Sequence, residues 1–243
     1  LTTRRQRQMC IRDSTKIKSN DKSSKSGLTK LLNFALIGIY IVFIFLISKL
    51  FKNFYPNNQE LLRKIIHIGM GPLIPLAKFL EIEQSAAQYF AGGISILILI
   101  NYIYKLFPII EDIDRQSFGT FFYCFSLLIL ISLFWEQDPL SLTAGFFIMT
   151  FGDGLAGLIG KNFKSKSWKI FNQKKSIIGT TTMFLISFLV VSILGYKNNL
   201  DFNYYYFWIA LLATVLEQIS IIGIDNFSVP IVTSTVFHLL ITN

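Results

Sequence analysis

One carboxylate stands alone in an apolar stretch. Asp153, within "FGDGLAGLIGK" (151–161), is the sole charged residue between Asp138 and Lys161. A charge at mid-membrane costs about 2.5–3.5 kcal/mol on the insertion scale. Asp153 lies eight residues before Lys161, so about 12 Å below that end of a helix. Gly152, Gly154, Gly157 and Gly160 surround it. Glycines permit a broken helix and close approach of a ligand to the backbone. A carboxylate beside freed backbone N–H groups suits a metal-bound phosphate, the metal taking the acid and the amides taking phosphate oxygens. Helix packing through small residues, with Asp153 paired to a lysine, accounts for the glycines as well. It does not by itself account for the acid.

Other polar residues sit at similar junctions. The segment after Asp153, "KNFKSKSWKIFNQKKSIIGTT", holds Lys161, Lys164, Lys166, Lys169, Lys174 and Lys175 and no acid. A solvated basic loop explains the first four lysines. Lys174, Lys175 and Ser176 stand directly before Gly179 and Thr180, where the next apolar run begins, and can close over polyphosphate at a helix N-terminus. The spacing is not that of a Walker A loop. In "LLRKIIHIGMG", Arg63 and His67 are four apart and share a helical face with Lys64 beside them. That face can bind phosphate or receive a proton; a basic flank with a packed histidine reads the same. Glu217 is a second acid inside an apolar run, eight residues before Asp225, which places it at a depth comparable to Asp153. Asp225 and Asn226, on an expected loop ended by Pro230, are hard oxygen ligands suited to Mg²⁺; alone, Asp-Asn is also an ordinary turn. His238 has no evident partner and reads as core.

The elements that must position these groups are helices in a membrane. The 243 residues are 52% hydrophobic and 15% charged, with mean hydropathy +0.52. That composition excludes an ordinary soluble domain and predicts an all-α, polytopic membrane bundle of seven to eight segments, some short or broken. The segments fall near 31–51, 65–80, 86–107, 118–134, 141–160, 179–195, 205–222 and 229–242. Pro72 and Pro75 predict a break in the second. No strand-like alternation is long enough for a barrel. Residues 1–14, containing "RRQRQMCIRDS", look like a translated sequencing adapter and are set aside from fold reasoning; they carry three of the nine net positive charges. Residues 15–30 read as a disordered Ser/Lys tail, and 31–243 as one membrane-embedded domain. Cys124, the one cysteine outside 1–14, excludes a disulfide framework.

If all eight segments cross, connections 52–64, 108–117, 161–178 and 223–228 share one side. That side collects the unusual polar chemistry. It also holds twelve lysines and arginines against seven on the other side, so the active face is expected to be cytoplasmic.

Five motifs in order give the chain a resemblance: "RKIIHIGMG" (63–71), "RQSFGTFFY" (115–123), "GDGLAGLIGK" (152–161), "KKSIIGTT" (174–181) and "EQISIIGIDNFSVP" (217–230). Together they resemble the CTP-dependent polyprenol kinases, a superfamily of phytol kinases, dolichol kinases and a CTP-using diacylglycerol kinase. The short length and the "RKxxH" opening are most similar to the phytol kinase branch. The resemblance implies phosphoryl transfer from CTP, or another nucleoside triphosphate, to an isoprenoid alcohol. It implies nucleotide and metal chemistry at Gly152-Asp153-Gly154, at Lys175-Ser176 with Gly179, and at Asp225-Asn226. Thr180 departs from the serine frequent there and keeps the hydroxyl.

On this reading Asp153 and Asp225, supported by Asn226, hold Mg²⁺ or another divalent cation. Arg63, Lys64, Arg115, Lys161, Lys174 and Lys175 supply cations for the phosphates, and Glu217 or His67 orients or deprotonates the alcohol. The expected partners are the lipid alcohol, the nucleotide and the bilayer, with no nucleic acid. The expected place is a bacterial inner membrane, a thylakoid membrane or an equivalent. A phosphatidate cytidylyltransferase also joins CTP to a membrane lipid, but its long signature of glycines and paired aspartates near the C-terminus is not seen. A secondary transporter with Asp153 and Glu217 as ion-coupling acids is the non-enzyme alternative; no internal repeat supports it.

Overall fold

The computed structural model describes residues 2–56, 58–104, 118–171, 173–200 and 204–242, with the side chains of the first helix described from Thr29 onward. The adapter expectation for 1–14 and the tail expectation for 15–30 lie outside those described side chains, apart from Thr29 and Lys30 at the end of the tail. In chain order the elements are α1 (Thr2–Phe54), α2 (Gln59–Gly69), α3 (Leu73–Phe79), α4 (Gln84–Tyr104), α5 (Gly119–Phe134), α6 (Pro139–Phe147), a π-helical turn (Ile148–Asp153), α7 (Gly154–Asn162), β1 (Ser167–Ile170), β2 (Gln173–Ser176), α8 (Ile177–Lys197), α9 (Tyr205–Gln218) and α10 (Asp225–Thr242). Four stretches among the described residues are long and apolar enough to cross a membrane: Thr29–Phe54, Gln84–Tyr104, Pro139–Asn162 and Ile177–Lys197. The shorter apolar helix Gly119–Phe134 accompanies them. The helical membrane bundle read from composition is the architecture found.

Helices begin where a side chain satisfies their first free N–H groups. Asn58 accepts from the Leu61 N–H at 3.2 Å. Asp138 accepts from the Ser141 N–H at 3.0 Å, and Pro139 follows at the first helical position, where its missing N–H costs nothing. Ser176 accepts from the Gly179 N–H at 3.2 Å. The expected break in the second segment occurs at Met70–Pro72, and Pro75 falls in the first turn of α3, where it is tolerated. The two pieces run antiparallel to α1. Ser48 Oγ donates to the Leu62 carbonyl at 3.3 Å, Tyr40 to that of Gly69, and Asn33 Nδ2 to that of Leu80 at 2.8 Å.

The segment 139–162 is the centre of the bundle. In its most apolar membrane-length window 61% of residues are buried, against 17% in the two more peripheral spans at 29–54 and 84–104. Its Leu142, Phe146 and Met149 pack with Leu130, Ile131 and Trp135, while Ala144 and Ile148 pack with Met183, Val191, Ile209 and Phe237. Gly145 lets α6 meet α10: a β-carbon there would collide with Ser234 Oγ and with the Pro230 carbonyl oxygen.

Three sequence expectations are corrected. The basic loop contains a two-stranded antiparallel hairpin, β1 with β2. Asp225 and Asn226 open α10 rather than lying on a loop, and Pro230 is inside that helix; the short turn before it leaves Asp225 at a helix start. His238 has a partner, its Nδ1 lying 2.6 Å from Asp138 Oδ2. A hundred residues separate the two, so the pairing is invisible to local reading.

The tight α6–α10 crossing can be tested directly. Gly145→Ala should lower the thermal midpoint in detergent, the overpacking costing about 1–3 kcal/mol; an unchanged midpoint would mean that the crossing is looser than described. At Asp138, burial alone would raise the pKa, but hydrogen bonds from Ser141 and His238 outweigh it and hold the carboxyl below its ordinary range. A depressed folded value stabilises the protein above the unfolded pKa of about 4, and that contribution is lost as pH falls through the folded value. Asp138→Asn should therefore flatten the acid limb of a stability–pH curve.

Candidate active site

The site is assembled at the end of the bundle where α2, the π turn, β2, α9 and α10 converge. Asp153 closes the π turn. A π turn accommodates an extra residue, which re-aims the downstream half-helix by about 100° relative to a continuous α-helix. The expected break at the glycines is thus a widened turn that keeps the chain helical. The glycines around it are contact points: a β-carbon on Gly154 would meet Ile68, one on Gly157 would meet Lys64, and one on Gly160 would meet Ser176 and Gly179. They bring α7 close to α2 and to the start of α8.

Through that contact Lys64 reaches Asp153. Its Nζ lies 2.7 Å from Asp153 Oδ2 and 3.1 Å from the Asp153 carbonyl oxygen. The side chains are 7% and 13% exposed, so the pair is shielded from water. His67, one turn after Lys64, puts Nε2 3.2 Å from the Met149 carbonyl and 3.6 Å from Asp153 Oδ2. A carbonyl only accepts, so the contact with Met149 assigns a proton to Nε2; in the neutral ring the lone pair is then on Nδ1. Tyr123 packs tilted against the His67 ring at 4.7 Å between centroids, and its hydroxyl lies 3.3 Å from Thr150 Oγ1.

A second ion pair lies beside the first. Lys175 Nζ bonds Glu217 Oε1 and also donates to the Glu217 carbonyl at 2.8 Å. Gln218 Nε2 donates to Glu217 Oε2 at 2.7 Å and to Thr180 Oγ1 at 2.9 Å, tying the acid to α8. Ser176 caps α8 and donates to the Gly160 carbonyl at 3.2 Å. Asp225 Oδ1 accepts from the Asn226 N–H at 3.1 Å, and Ser220 Oγ caps the Asp225 N–H at 2.8 Å. Asn226 Nδ2 donates to the Gly119 carbonyl at 3.2 Å, whereas its buried Oδ1 has no partner among the described residues. Pro230 has no N–H to give the Asn226 carbonyl, which therefore lacks its helical partner.

These charges act on one another. Glu217 and Asp225 each feel Asp153, Lys175 acts on all three acids, and Arg63 is drawn to Asp153 and Asp225. Lys64 and Lys175 thus face Asp153, Glu217 and Asp225 in one partly buried cluster, with Arg63 at its edge. Among the described residues no three His, Cys, Asp or Glu side chains converge closely enough to hold a metal by themselves. Mg²⁺ needs only one or two carboxylates when substrate phosphates and water complete its shell. The unpartnered Asn226 Oδ1 beside Asp225 fits that donor set.

Not every sequence candidate joins the cluster. Arg63 lies at its edge, 41% exposed and bonded to Glu60 at 2.8 Å. Lys161 and Lys174 are exposed; strand alternation turns Lys174 away from the side that carries Lys175. Arg115 lies outside the described residues. The sequence reading missed Gln218, Thr150 and the Glu60 partner of Arg63. Gln218 follows Glu217 directly, but its reach to Thr180 depends on the α8–α9 packing.

Curated proteins similar to this chain have one activity in their names. A phytol kinase of Synechocystis sp. is 34% identical over 207 residues, covering 81% of this chain and 86% of that protein. Phytol kinase 1, chloroplastic, of Arabidopsis thaliana is 28% identical over 200 residues, covering 72% and 65%. No protein-family model matches the chain, and no solved structure does.

The Lys64–Asp153 pair makes the site testable without substrate. Lys64→Met should destabilise the protein by about 3–5 kcal/mol, because it strands a buried carboxylate. Adding Asp153→Leu should recover much of that loss. Thermal midpoints of the two single variants and the double variant test this; strictly additive losses would show that the two side chains are not coupled.

Proposed function

Because the chain belongs to the phytol kinase family, we propose that it transfers the γ-phosphate of CTP to the hydroxyl of an isoprenoid alcohol such as phytol, giving the prenyl monophosphate. It is a membrane phosphotransferase with an alcohol acceptor and a nucleotide donor; the choice of CTP, the alcohol and the cytoplasmic orientation are parts of the proposal. The observation that carries it is the buried cluster in which Lys64 holds Asp153 and Lys175 holds Glu217 at one end of a helical membrane bundle. A lipid hydroxyl can reach that end from the bilayer, and a soluble nucleotide can reach it from water.

Phosphoryl transfer is mainly positioning and charge stabilisation. A divalent cation such as Mg²⁺, when bound, would neutralise charge on the phosphates. Asp225, Asn226 and Asp153 are the residues to hold it. Lys64 and Lys175, each engaged with a carboxylate, can share their hydrogen bonding with phosphate oxygens. Arg63 at the cluster's edge meets the incoming nucleotide first. His67, protonated on Nε2, offers Nδ1 to the alcohol proton. Glu217, held by Lys175 and Gln218, fixes the lysine rather than acting on the alcohol directly.

Proteoliposomes given γ-labelled CTP or ATP, Mg²⁺ and a panel of prenols and diacylglycerol test the proposal. Labelled prenyl monophosphate is expected with CTP, and Asp153→Asn should lower its formation at least about a hundredfold while the protein still folds. His67→Gln should lower kcat with little change in nucleotide KM. Folded protein that labels no alcohol, or that releases pyrophosphate and makes a cytidylyl lipid, would overturn the kinase reading.

A further inference from the structure

The hairpin between α7 and α8 carries a charge conflict that the fold does not resolve. Its register places Lys169 directly opposite Lys174. Like charges facing each other across an antiparallel pair destabilise it, and each strand is only four residues long. Lys161, Lys164 and Lys166 add to the same segment, which contains no acid from 161 to 176. All five of these lysines are exposed, and none forms an ion pair among the described residues. Lys175 alone points inward, to Glu217.

Large apolar side chains accompany the charges. Phe163 is 61% exposed and Phe171 at the turn 63%, whereas Trp168, 37% exposed, pairs with Lys175 on the strand face opposite Lys169 and Lys174. Phe171 takes the left-handed conformation, with φ 45°, which is unfavourable for an aromatic residue. Exposed aromatic rings among lysines are unsuited to water alone. They suit a surface that offers phosphates and, just beneath them, hydrocarbon. The connectivity supplies that surface. The hairpin lies between the membrane-length helices 139–162 and 177–197, with four residues on one side and none on the other.

We propose that the β1–β2 hairpin is a membrane-surface foot that docks on anionic phospholipid headgroups, with Lys169 and Lys174 between lipid phosphates and Phe171 at the turn entering the headgroup–acyl boundary. The anionic headgroups supply the countercharge that the Lys169–Lys174 pair lacks. Because β2 also carries Lys175 into the buried cluster, docking fixes the strand that positions it.

The test uses the full chain in nanodiscs of phosphatidylcholine alone or mixed with phosphatidylglycerol, with bromine placed on one lipid or the other at constant total bromine. The probe is a tryptophan at the turn, read as the difference between the Phe171→Trp variant and the protein itself, which share Trp135, Trp168 and Trp208. The turn probe should be quenched more strongly when phosphatidylglycerol is brominated, and that preference should fall as salt rises. Lys169→Gln with Lys174→Gln should reduce the preference about tenfold or more. Equal quenching by either lipid overturns the proposal, as does a preference that survives the double substitution. So does protection of the turn probe by CTP without any response to phosphatidylglycerol, which would assign the lysines to nucleotide. Because the readout is fluorescence, failure of the kinase reading would leave it unchanged.

Discussion

The structure turns on neutralising Asp153. A carboxylate inside the most enclosed membrane-length helix is stable only with a countercharge at hydrogen-bond distance. Lys64 supplies it from a helix 89 residues away in sequence, donating both to the carboxylate and to the carbonyl of the same residue. That requirement fixes the neighbours. Gly157 has to be small because the Lys64 stem passes over it, and Gly154 has to be small because Ile68 of the same helix lies against it. The break after Gly69 then lets the rest of the second segment continue along α1 instead of being committed to the direction that the Lys64 contact demands.

The π turn and the second ion pair extend the same logic. The turn places Asp153 toward α2 while leaving Leu142, Phe146 and Met149 packed in one apolar layer and Ala144 and Ile148 in the other. Glu217 is satisfied in parallel by Lys175 and Gln218, so α8, α9 and the hairpin are held to the same end as α2 and α7. The opposite end is closed by different chemistry. There Asp138 is helix cap and partner of His238 at once, and Lys30 meets Glu83 at 2.6 Å on the exposed surface.

The division of labour along the basic segment has a simple origin. A strand sends alternate side chains to opposite faces. Adjacent Lys174 and Lys175 therefore have different fates, one facing solvent or headgroups and one buried against Glu217. The same local sequence is part of the polar cluster and part of the molecular surface, and Ser176 ends it by capping the next helix.

By itself the sequence determined the fold class, the polar end and the identity of the buried acids. Apolar runs of membrane length are local facts, and so are a lone Asp153 or Glu217 within one and the punctuation by Asn58, Pro72, Pro139 and Ser176. Motif order pointed to the family for the same reason. Only the tertiary structure decided the partners: Lys64 for Asp153, Lys175 and Gln218 for Glu217, and Asp138 for His238. It also decided that Lys161 and Lys174 stay outside the cluster, that Asp225 begins a helix, and that the glycines around Asp153 accompany a π turn rather than a break. Charge pairing acts through space and depends on how whole helices pack, so residues tens of positions apart become neighbours without any local signal. Backbone period at one turn is likewise set by the surfaces that the two flanking half-helices must bury, which no window of sequence contains.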